Sequence, residues 1–433
     1  MSGPARIHDR PRLHLRTSEA EISILTATER LLNRAPLAEL SVADIMAEAG
    51  VARGTFYHYF SSKYAVLTAL MEQVRDELFT TFSDDLDRLT GPDPDPAAAL
   101  ETSLHPVIAR WATHRAVLRA ASDHWRVVPE LHGIWLGMFD QFADAVAHRV
   151  EQHRASGQAP PGPDARALAA ALVHGSERTL YVAGLGVDPD FPDEAAMAPY
   201  VIRMWTSGLY GSTNAISAGS EDTPAVVPTP PAAGSEQTIL DATARLLEHT
   251  PLADLSAKQI CEEAGIGRTT FYRHFNTKND VVATLVNTAL DQAYLAFQAT
   301  SARPPADLRE TLERRLIAMS GVWTRHRAVL RAAMEGWQQL PELAEVWLRI
   351  IDRYGRTVAD EIDTARRAGH APDGLPSAPL AKALAWMTES CMYIAGLEID
   401  PRFPDETAAA RTAATISVRA IYRVASTEDN RST

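Results

Sequence analysis

Cysteine is scarce in this chain of 433 residues, and its scarcity excludes two classes of fold. Cys261 and Cys391 are the only two, and they fall in different predicted domains. A disulfide framework therefore cannot hold the chain together, and a metal site built on cysteine ligands is excluded as well. Stability has to come from a packed apolar core, for which 46% of apolar residues is sufficient.

Long apolar runs and catalytic motifs are missing too. No run of about 18 apolar residues occurs, so we expect no membrane span. The N-terminal stretch lacks the apolar segment of a signal peptide, so we expect a soluble, cytosolic protein. The chain contains no Gly-x-Ser-x-Gly elbow, P-loop, dinucleotide-binding glycine pattern or His-Glu-x-x-His motif. We therefore expect no enzymatic activity, no cofactor and no metal.

Positive charge is in the minority, with 42 basic against 55 acidic residues and a net charge of -13. A chain this acidic is not a general binder of polyanions, so any contact with nucleic acid has to come from a local basic surface. Lysine is rarer still, and three of the four lysines fall in the two segments interpreted below as DNA readers. These three are Lys63, Lys258 and Lys278.

The sequence repeats itself. PLAELSVADIMAEAGVARGTFYHYFSSK begins at Pro36, and PLADLSAKQICEEAGIGRTTFYRHFNTK begins at Pro251, 215 residues later. HRAVLRA at His114 returns at His326, 212 residues later. The order of the blocks is conserved, which indicates a tandem duplication of a unit of roughly 200 residues. Residues of the two copies are called equivalent below when they are separated by 215 in the first block and by 212 beyond it.

The two copies divide into seven segments. The stretch between the copies has four prolines and neither lysine nor arginine, which is typical of a solvated linker. We predict a basic arm (1–18), a first head (19–64), a first body (65–213), the linker (214–234), a second head (235–279), a second body (280–424) and a tail (425–433).

The hydrophobic pattern predicts an all-α protein. Apolar residues recur every three or four positions over 129–157, and no strand alternation with Asn-Gly turns is present. Further helices are expected over 164–184 and 193–211, with Pro199 kinking the latter or delaying its start. The predicted fold is two tandem copies of a three-helix helix-turn-helix DNA-binding domain, each followed by a helical ligand-binding and dimerisation domain.

Each head contains a helix-turn-helix pattern. Ser41 is a candidate N-cap, and Ser256 with Gln259 forms a fuller capping box. Gly50 is suited to end the first short helix in the left-handed conformation. The second short helix, Arg53 to Phe60, turns two phenylalanines inward and leaves cationic and hydroxyl side chains outside. Such side chains bond phosphate and read base edges in the major groove, although a solvated amphipathic helix would show a similar pattern.

These residues resemble the signature of the TetR family of transcriptional regulators, in its EthR-like branch. The match rests on Thr55-Phe56-Tyr57 with Lys63, on the same pattern at Thr270-Phe271-Tyr272 with Lys278, and on HRAVLRA in both copies. One departure is that Ala52 and Gly267 stand where the family usually has a small hydroxyl residue. The predicted DNA-binding residues are Arg53, Thr55, Tyr57, His58, Tyr59 and Lys63, and Arg268, Thr269, Thr270, Tyr272, Arg273, His274 and Lys278.

Aromatic residues recur in matched pairs within the bodies, which favours an apolar pocket in each, although plain core packing is the better explanation of any single tryptophan. The resemblance implies a ligand tunnel, with Ser176 and Thr388 in place of the asparagines of relatives. A small, long and apolar effector is therefore expected. The predicted ligand-binding residues are Trp111, Trp125, Trp135, Phe139, Ser176, Tyr181 and Trp205, and Trp323, Trp337, Trp347, Thr388 and Tyr393.

The resemblance implies a ligand-responsive regulator, a repressor, that binds double-stranded operator DNA. Family members act as homodimers, so a fused chain is expected to be an intramolecular pseudo-dimer on an imperfect palindrome. Two alternatives stay open. One is a true homodimer with four heads. The other is a ligand-binding or sequestering protein whose heads no longer read DNA, which the uncapped helices and the acidic charge favour.

Overall fold

The computed structural model describes residues 18–88, 95–211, 234–299, 308–337 and 340–422. The predicted arm, linker and tail lie almost entirely outside these residues. The described parts are helical and contain no strand, as predicted. The helices of the first copy are α1 (Glu19–Leu32), α2 (Val42–Ala49), α3 (Arg53–Tyr59), α4 (Lys63–Arg88), α5 (Pro96–Thr113), α6 (Arg115–His124), α7 (Pro129–Ala155), α8 (Ala165–Leu185) and α9 (Glu194–Tyr210).

The second copy repeats this order of helices. Its helices are α10 (Ser235–Leu247), α11 (Ala257–Ala264), α12 (Arg268–His274), α13 (Lys278–Ala299), α14 (Leu308–Arg325), α15 (Arg327–Gly336), α16 (Pro341–Arg367), α17 (Ser377–Gly396) and α18 (Glu406–Ile421).

The chain forms two compact units. The first contains the described residues up to Thr80 together with Thr113–Met138, and so includes the first head and α6. The second contains the described residues of Thr81–Ala112 and those from Phe139 onward, and so includes α8, α9 and the helices of the second copy.

In the first unit, α1, α2 and α3 pack around a small core. Ile24, Ile45 and Phe56 come from one helix each and are fully buried. Ser41 caps α2 in a complete capping box, because its hydroxyl accepts from the Asp44 amide and the Asp44 carboxylate accepts from the Ser41 amide. Gly50 ends α2 with a φ of +66°, a conformation that favours glycine.

The second unit contains the second head, built in the same way around Ile239, Ile260 and Phe271, all fully buried. The prediction that the fuller capping box lies at Ser256 was wrong. There the Ser256 hydroxyl accepts from the Gln259 amide and donates to the side-chain oxygen of Gln259. This second bond stands in place of the bond from the Ser256 amide to the Gln259 side chain that would complete a capping box. Asp44 stands at the same position after Ser41, with a side chain that is shorter than glutamine and charged. It accepts from the Ser41 amide and so completes the capping box.

Four helices of the two bodies pack together in the second unit, where α8 and α9 contact α17 and α18. Arg203 donates to the carbonyl of Ala420 at 3.1 and 3.2 Å, and Arg419 donates to the carbonyl of Gly208 at 2.6 Å. Gly208 and Ala420 are equivalent residues, so each copy's arginine holds the same backbone position of the other copy. Pro199 does not delay α9, which begins at Glu194.

Candidate DNA-binding heads and ligand cavity

The recognition helix of the first head, α3, has one buried and one exposed face. Phe56 is fully buried on the inner face. Arg53, Tyr57 and His58 are exposed, with 47% of Tyr57 accessible, whereas Thr55 and Tyr59 are half-buried. The guanidinium of Arg53 lies 5.5 Å from the centre of the Tyr57 ring, so the cation and the phenol share one outward surface.

The recognition helix of the second head, α12, presents a similar surface with more charge. Arg268, Thr269, Tyr272 and Arg273 are exposed, with 56% of Tyr272 accessible. Thr270 is half-buried at the position equivalent to Thr55. The two helices therefore expose the same hydroxyl and cationic chemistry over the same buried phenylalanine.

His274 faces a different direction from the other predicted DNA contacts of this head. Its Nε2 lies 2.6 Å from the hydroxyl of Ser235, and its Nδ1 lies 3.8 Å from the carboxylate of Glu236. Both partners stand at the start of α10. The ring joins α12 to α10, and a role in DNA binding stays a prediction for this residue.

The two predicted phosphate-binding lysines are turned into the heads. Lys63 Nζ donates to the carbonyls of Leu37, Ala38 and Leu40 at 2.7, 3.3 and 2.7 Å. An ammonium group has three donors, so each has an acceptor in the turn that precedes α2. The lysine fixes that turn against the start of α4.

Lys278 repeats this arrangement, with the carbonyls of Leu252, Ala253 and Leu255 at 2.8, 3.2 and 2.5 Å. For either lysine to bind phosphate, it would have to exchange a carbonyl partner for it.

The N-termini of both recognition helices are uncapped, as the sequence predicts. Ala52 and Gly267 precede α3 and α12, and neither helix has a side-chain hydrogen bond at its N-cap.

An apolar cavity lies in the second body and is partly open to solvent. Trp323 and Trp347 meet edge to face in its wall, with ring centres 6.1 Å apart. The lining residues come from five helices and are Leu290 and Phe297 of α13, Leu312, Leu316, Met319 and Trp323 of α14, Trp347, Ile350, Ile351, Tyr354 and Val358 of α16, Ala381, Leu384, Ala385, Thr388 and Glu389 of α17, and Ser417 and Ile421 of α18.

Polar groups are few in this cavity. Thr388 donates its hydroxyl to the carbonyl of Leu384. The hydroxyl of Tyr354 is buried without a hydrogen-bond partner among the described residues. Burial raises the pKa of Glu389 to about 7, despite the guanidinium of Arg178 at 3.2 Å. A ligand in this space would meet hydrocarbon almost everywhere and a small number of oxygen atoms at one side.

Three of the five ligand residues predicted in the second copy line the cavity: Trp323, Trp347 and Thr388. The other two, Trp337 and Tyr393, are buried elsewhere, and the Trp337 ring packs on Trp386 with centres 6.0 Å apart.

The predicted residues of the first copy fall in both compact units. Trp125 and Trp135 lie in the first, and Trp111, Phe139, Ser176, Tyr181 and Trp205 lie in the second. Trp205 is 3% exposed and donates its indole N–H to the hydroxyl of Ser176 at 2.7 Å. Its equivalent in the second copy is Ser417, which lines the cavity. A large side chain thus occupies in one copy the position that faces open space in the other.

Both halves of the repeat match known protein families. Residues 100–211 and 312–423 match the family described as transcriptional regulator EthR, C-terminal domain. Residues 24–70 and 239–285 match the family described as bacterial regulatory proteins, tetR family. The chain belongs to the TetR family. It is a DNA-binding transcriptional regulator made of two tandem units with EthR-like bodies.

This TetR-family chain is also similar to individual proteins. It is 31% identical over 196 residues to the HTH-type transcriptional regulator EthR of Mycobacterium tuberculosis, which is 45% of this chain and 88% of that protein. The EthR of Mycolicibacterium smegmatis is 29% identical over 194 residues, with the same coverage of both chains. A crystal structure of regulatory protein TetR from Rhodobacter sphaeroides covers 43% of this chain and 98% of its own, with 22% identity and a TM-score of 0.36.

Two residues around the cavity were not predicted from the sequence. Glu389 and Tyr354 line it beside the predicted tryptophans. The sequence contained one signal for Glu389. Glu177-Arg178-Thr179-Leu180 of the first copy is equivalent to Glu389-Ser390-Cys391-Met392 of the second, and the glutamate is the residue that the two segments share. Across the described parts of the chain, no helix is long and apolar enough to cross a membrane.

Proposed function

We propose that this regulator is a ligand-responsive repressor that binds operator DNA as a fused pseudo-dimer. The observation that carries the proposal is the pair of recognition helices, which expose arginine, threonine and tyrosine over the same buried phenylalanine. Arg53 and Arg268 stand at equivalent positions and are both exposed. Two such helices in one chain supply the two readers that a half-site pair requires.

The preferred operator is an imperfect palindrome, because the two readers differ. His58 of α3 is equivalent to Arg273 of α12, and Gly54 is equivalent to Thr269. An arginine engages phosphate or a guanine edge more strongly than a neutral histidine does. Each half-site is therefore read mainly by one head.

The effector is a small apolar molecule that binds in the second body. The cavity there is lined almost wholly by hydrocarbon, whereas Trp205 occupies the equivalent of Ser417 in the first body. One of the two bodies thus senses the ligand, and in the other Trp205 fills the space at the position equivalent to Ser417.

The test is a gel shift with DNA from upstream of the protein's own gene. We expect a log–log salt slope of about -5 to -7, as three to four phosphates per head imply. Arg53→Ala should weaken one half of the footprint and Arg268→Ala the other. Arg245→Ala is the matched control, because Arg245 lies on α10, is exposed, and pairs with Glu263 away from the recognition helix.

The outcome that contradicts the proposal is also clear. A protein whose heads no longer read DNA would give no retarded band at low salt, and its arginine variants would behave like the control. Retained binding of an apolar dye by that protein would then favour the sequestering alternative.

A further inference from the structure

The contact between α8 and α17 places unlike residues against each other at equivalent positions. Gly175 lies against Met387, and these two residues are equivalent in the repeat. A Cβ atom on Gly175 would lie 2.5 Å from Cγ of Met387, so glycine is needed beside this methionine. The surface of α8 and α9 is called the first-copy face, and that of α17 and α18 the second-copy face. Two second-copy faces in contact would place methionine against methionine, and two first-copy faces would leave a cavity between glycines.

The buried charges of the same contact are divided between the copies. Nε of Arg178 lies 3.2 Å from Oε2 of Glu389, and the two side chains are 8% and 4% exposed. The residue equivalent to Arg178 is Ser390. A pair of second-copy faces would therefore bury Glu389 twice with no guanidinium beside either carboxyl group, which is unfavourable for charged and protonated forms alike.

One end of the interface is held by an arginine of the second copy. Arg402 follows α17 and contacts Asp140 of α7 at 2.5 Å and Asp400 at 2.7 Å. His174 of α8 lies 3.5 Å from the other oxygen of Asp400. Arg402 thus balances the carboxylates that the two copies bring together here.

The opposite end is held by a lysine from a different position. Lys382 of α17 contacts Asp188 at 2.9 Å, Asp190 at 2.6 Å and Asp352 at 3.1 Å. Its stem occupies the space beside Gly355, where a Cβ atom would lie 2.5 Å from the Lys382 Cγ. The two ends thus carry equivalent aspartates but take their cation from non-equivalent residues.

This arrangement excludes a pair of first-copy faces. The residue equivalent to Arg402 is Asp190, and the residue equivalent to Lys382 is Ala170. Two first-copy faces would gather three aspartates at each end of the interface with neither cation present. Carboxylates brought together without a cation repel one another and lose hydration.

We propose that the surface formed by α8 and α9 accepts as its partner only a surface of the α17–α18 type, and the reverse. The first-copy face rejects itself through its aspartates and the hole at Gly175. The second-copy face rejects itself through Met387 and Glu389. The partner that fits each face is the other copy in the same chain. Pairing between two faces of the same kind is excluded.

The native Cys391 provides a readout that does not depend on DNA. It is fully buried on α17, with Sγ 3.9 Å from the carbonyl of Ala171 on α8. In a Cys261→Ser background it is the single thiol, so its rate of labelling by a thiol reagent reports separation of α17 from α8.

Three full-length chains test the proposal. The first carries second-copy residues on both faces, the second carries first-copy residues on both faces, and the third exchanges the two faces. Ala143 is equivalent to Gly355, so this position is exchanged together with the lysine that packs on it. The first has Ala143→Gly, Ala170→Lys, Gly175→Met, Arg178→Ser and Asp190→Arg, the second has Gly355→Ala, Lys382→Ala, Met387→Gly, Ser390→Arg and Arg402→Asp, and the third has all ten.

We expect Cys391 to label more than about tenfold faster in both like-faced chains, and within about threefold of the parent in the exchanged chain. The exchanged chain is the control for the substitutions themselves. The proposal would be overturned if Cys391 stayed protected from labelling in either like-faced chain, or if that protection were lost in the exchanged chain. Circular dichroism confirms that each chain is folded. If a larger set of substitutions does not fold, Arg178→Ser alone serves as the like-faced variant, and Arg178→Ser with Ser390→Arg serves as the exchanged variant.

Discussion

Trp205 donates its indole N–H to the hydroxyl of Ser176, and this bond ties α9 to α8 across the interior of the first body. The hydroxyl of Ser176 in turn donates to the carbonyl of Leu172. A buried indole that has an acceptor is stable in place, because opening the space would leave its N–H without a hydrogen-bond partner. The equivalent pair in the second body, Thr388 and Ser417, leaves the space open.

The first prediction follows from that difference. Ser417→Trp should fill the cavity and reduce binding of Nile red, a neutral apolar dye, by at least about tenfold, a difference of about 1.4 kcal/mol. Fluorescence titration measures it. Arg411→Trp is the control, since it places an indole on the exposed side of the same helix. Equal dye binding by wild type and Ser417→Trp would show that the cavity is not the site.

The second prediction concerns Lys278. Lys278→Ala should lower the free energy of unfolding by about 1–3 kcal/mol, because three carbonyls of one turn lose their donor. Urea denaturation followed by circular dichroism measures the change. Lys258→Ala is the control, because Lys258 is largely exposed and pairs with Glu262 across one helical turn. The idea fails if the two variants are equally stable.

The third prediction uses the histidines at equivalent positions of the two copies. His114 lies between Glu29 at 2.9 Å and Glu77 at 3.2 Å, and its bond to Glu29 raises its pKa. His326 has Gln292 as its partner, and burial lowers its pKa. Nuclear magnetic resonance should show His114 titrating above 6.5 and His326 below it.

The two histidines have opposite effects on stability. The stabilisation from protonated His114 is complete below the unfolded pKa and is lost as pH rises through the higher folded pKa. The stabilisation from neutral His326 is complete at higher pH and is lost as the pH falls below 6.5. Glu29→Gln should lower the pKa of His114 and leave His326 unchanged. Coincident titration of the two in the wild type would contradict this account.

The fourth prediction concerns the buried carboxyl of the cavity. The pKa of Glu389 is about 7 in the folded chain and about 4.5 in the unfolded chain, because burial disfavours the anion. The folded state then binds more protons between these values, so stability falls as pH rises from about 4.5 to 7, by at most about 3 kcal/mol. Glu389→Gln should flatten that slope in urea denaturation, whereas Glu345→Gln, on the exposed face of α16, should retain it.

Local sequence signals predicted the heads well and the roles of single polar residues less well. Ser41, Gly50 and the spacing of Phe56 and Phe60 act within one or two turns of helix, so their pattern is readable directly. The partners of Lys63 lie 23 to 26 residues away in a turn whose position depends on packing, and no local pattern specifies them.

The same limit applies to the bodies. Matched tryptophans predicted aromatic interiors, but a pair such as Trp205 and Ser176, 29 residues apart, becomes meaningful only when two helices are placed side by side. The sequence repeat shows that Gly175 and Met387 are equivalent. Only the structure shows that these two residues also contact each other, so that one of them has to be small.

The arginine contacts between Arg203 and Ala420 and between Arg419 and Gly208 join two parts of a single chain. A regulator assembled from separate subunits is active only above the concentration at which they associate, so its activity rises more steeply than its abundance. A chain that carries both sides of its interface is assembled at any abundance. The activity of the proposed pseudo-dimer would then be proportional to the number of molecules, even at a few copies per cell.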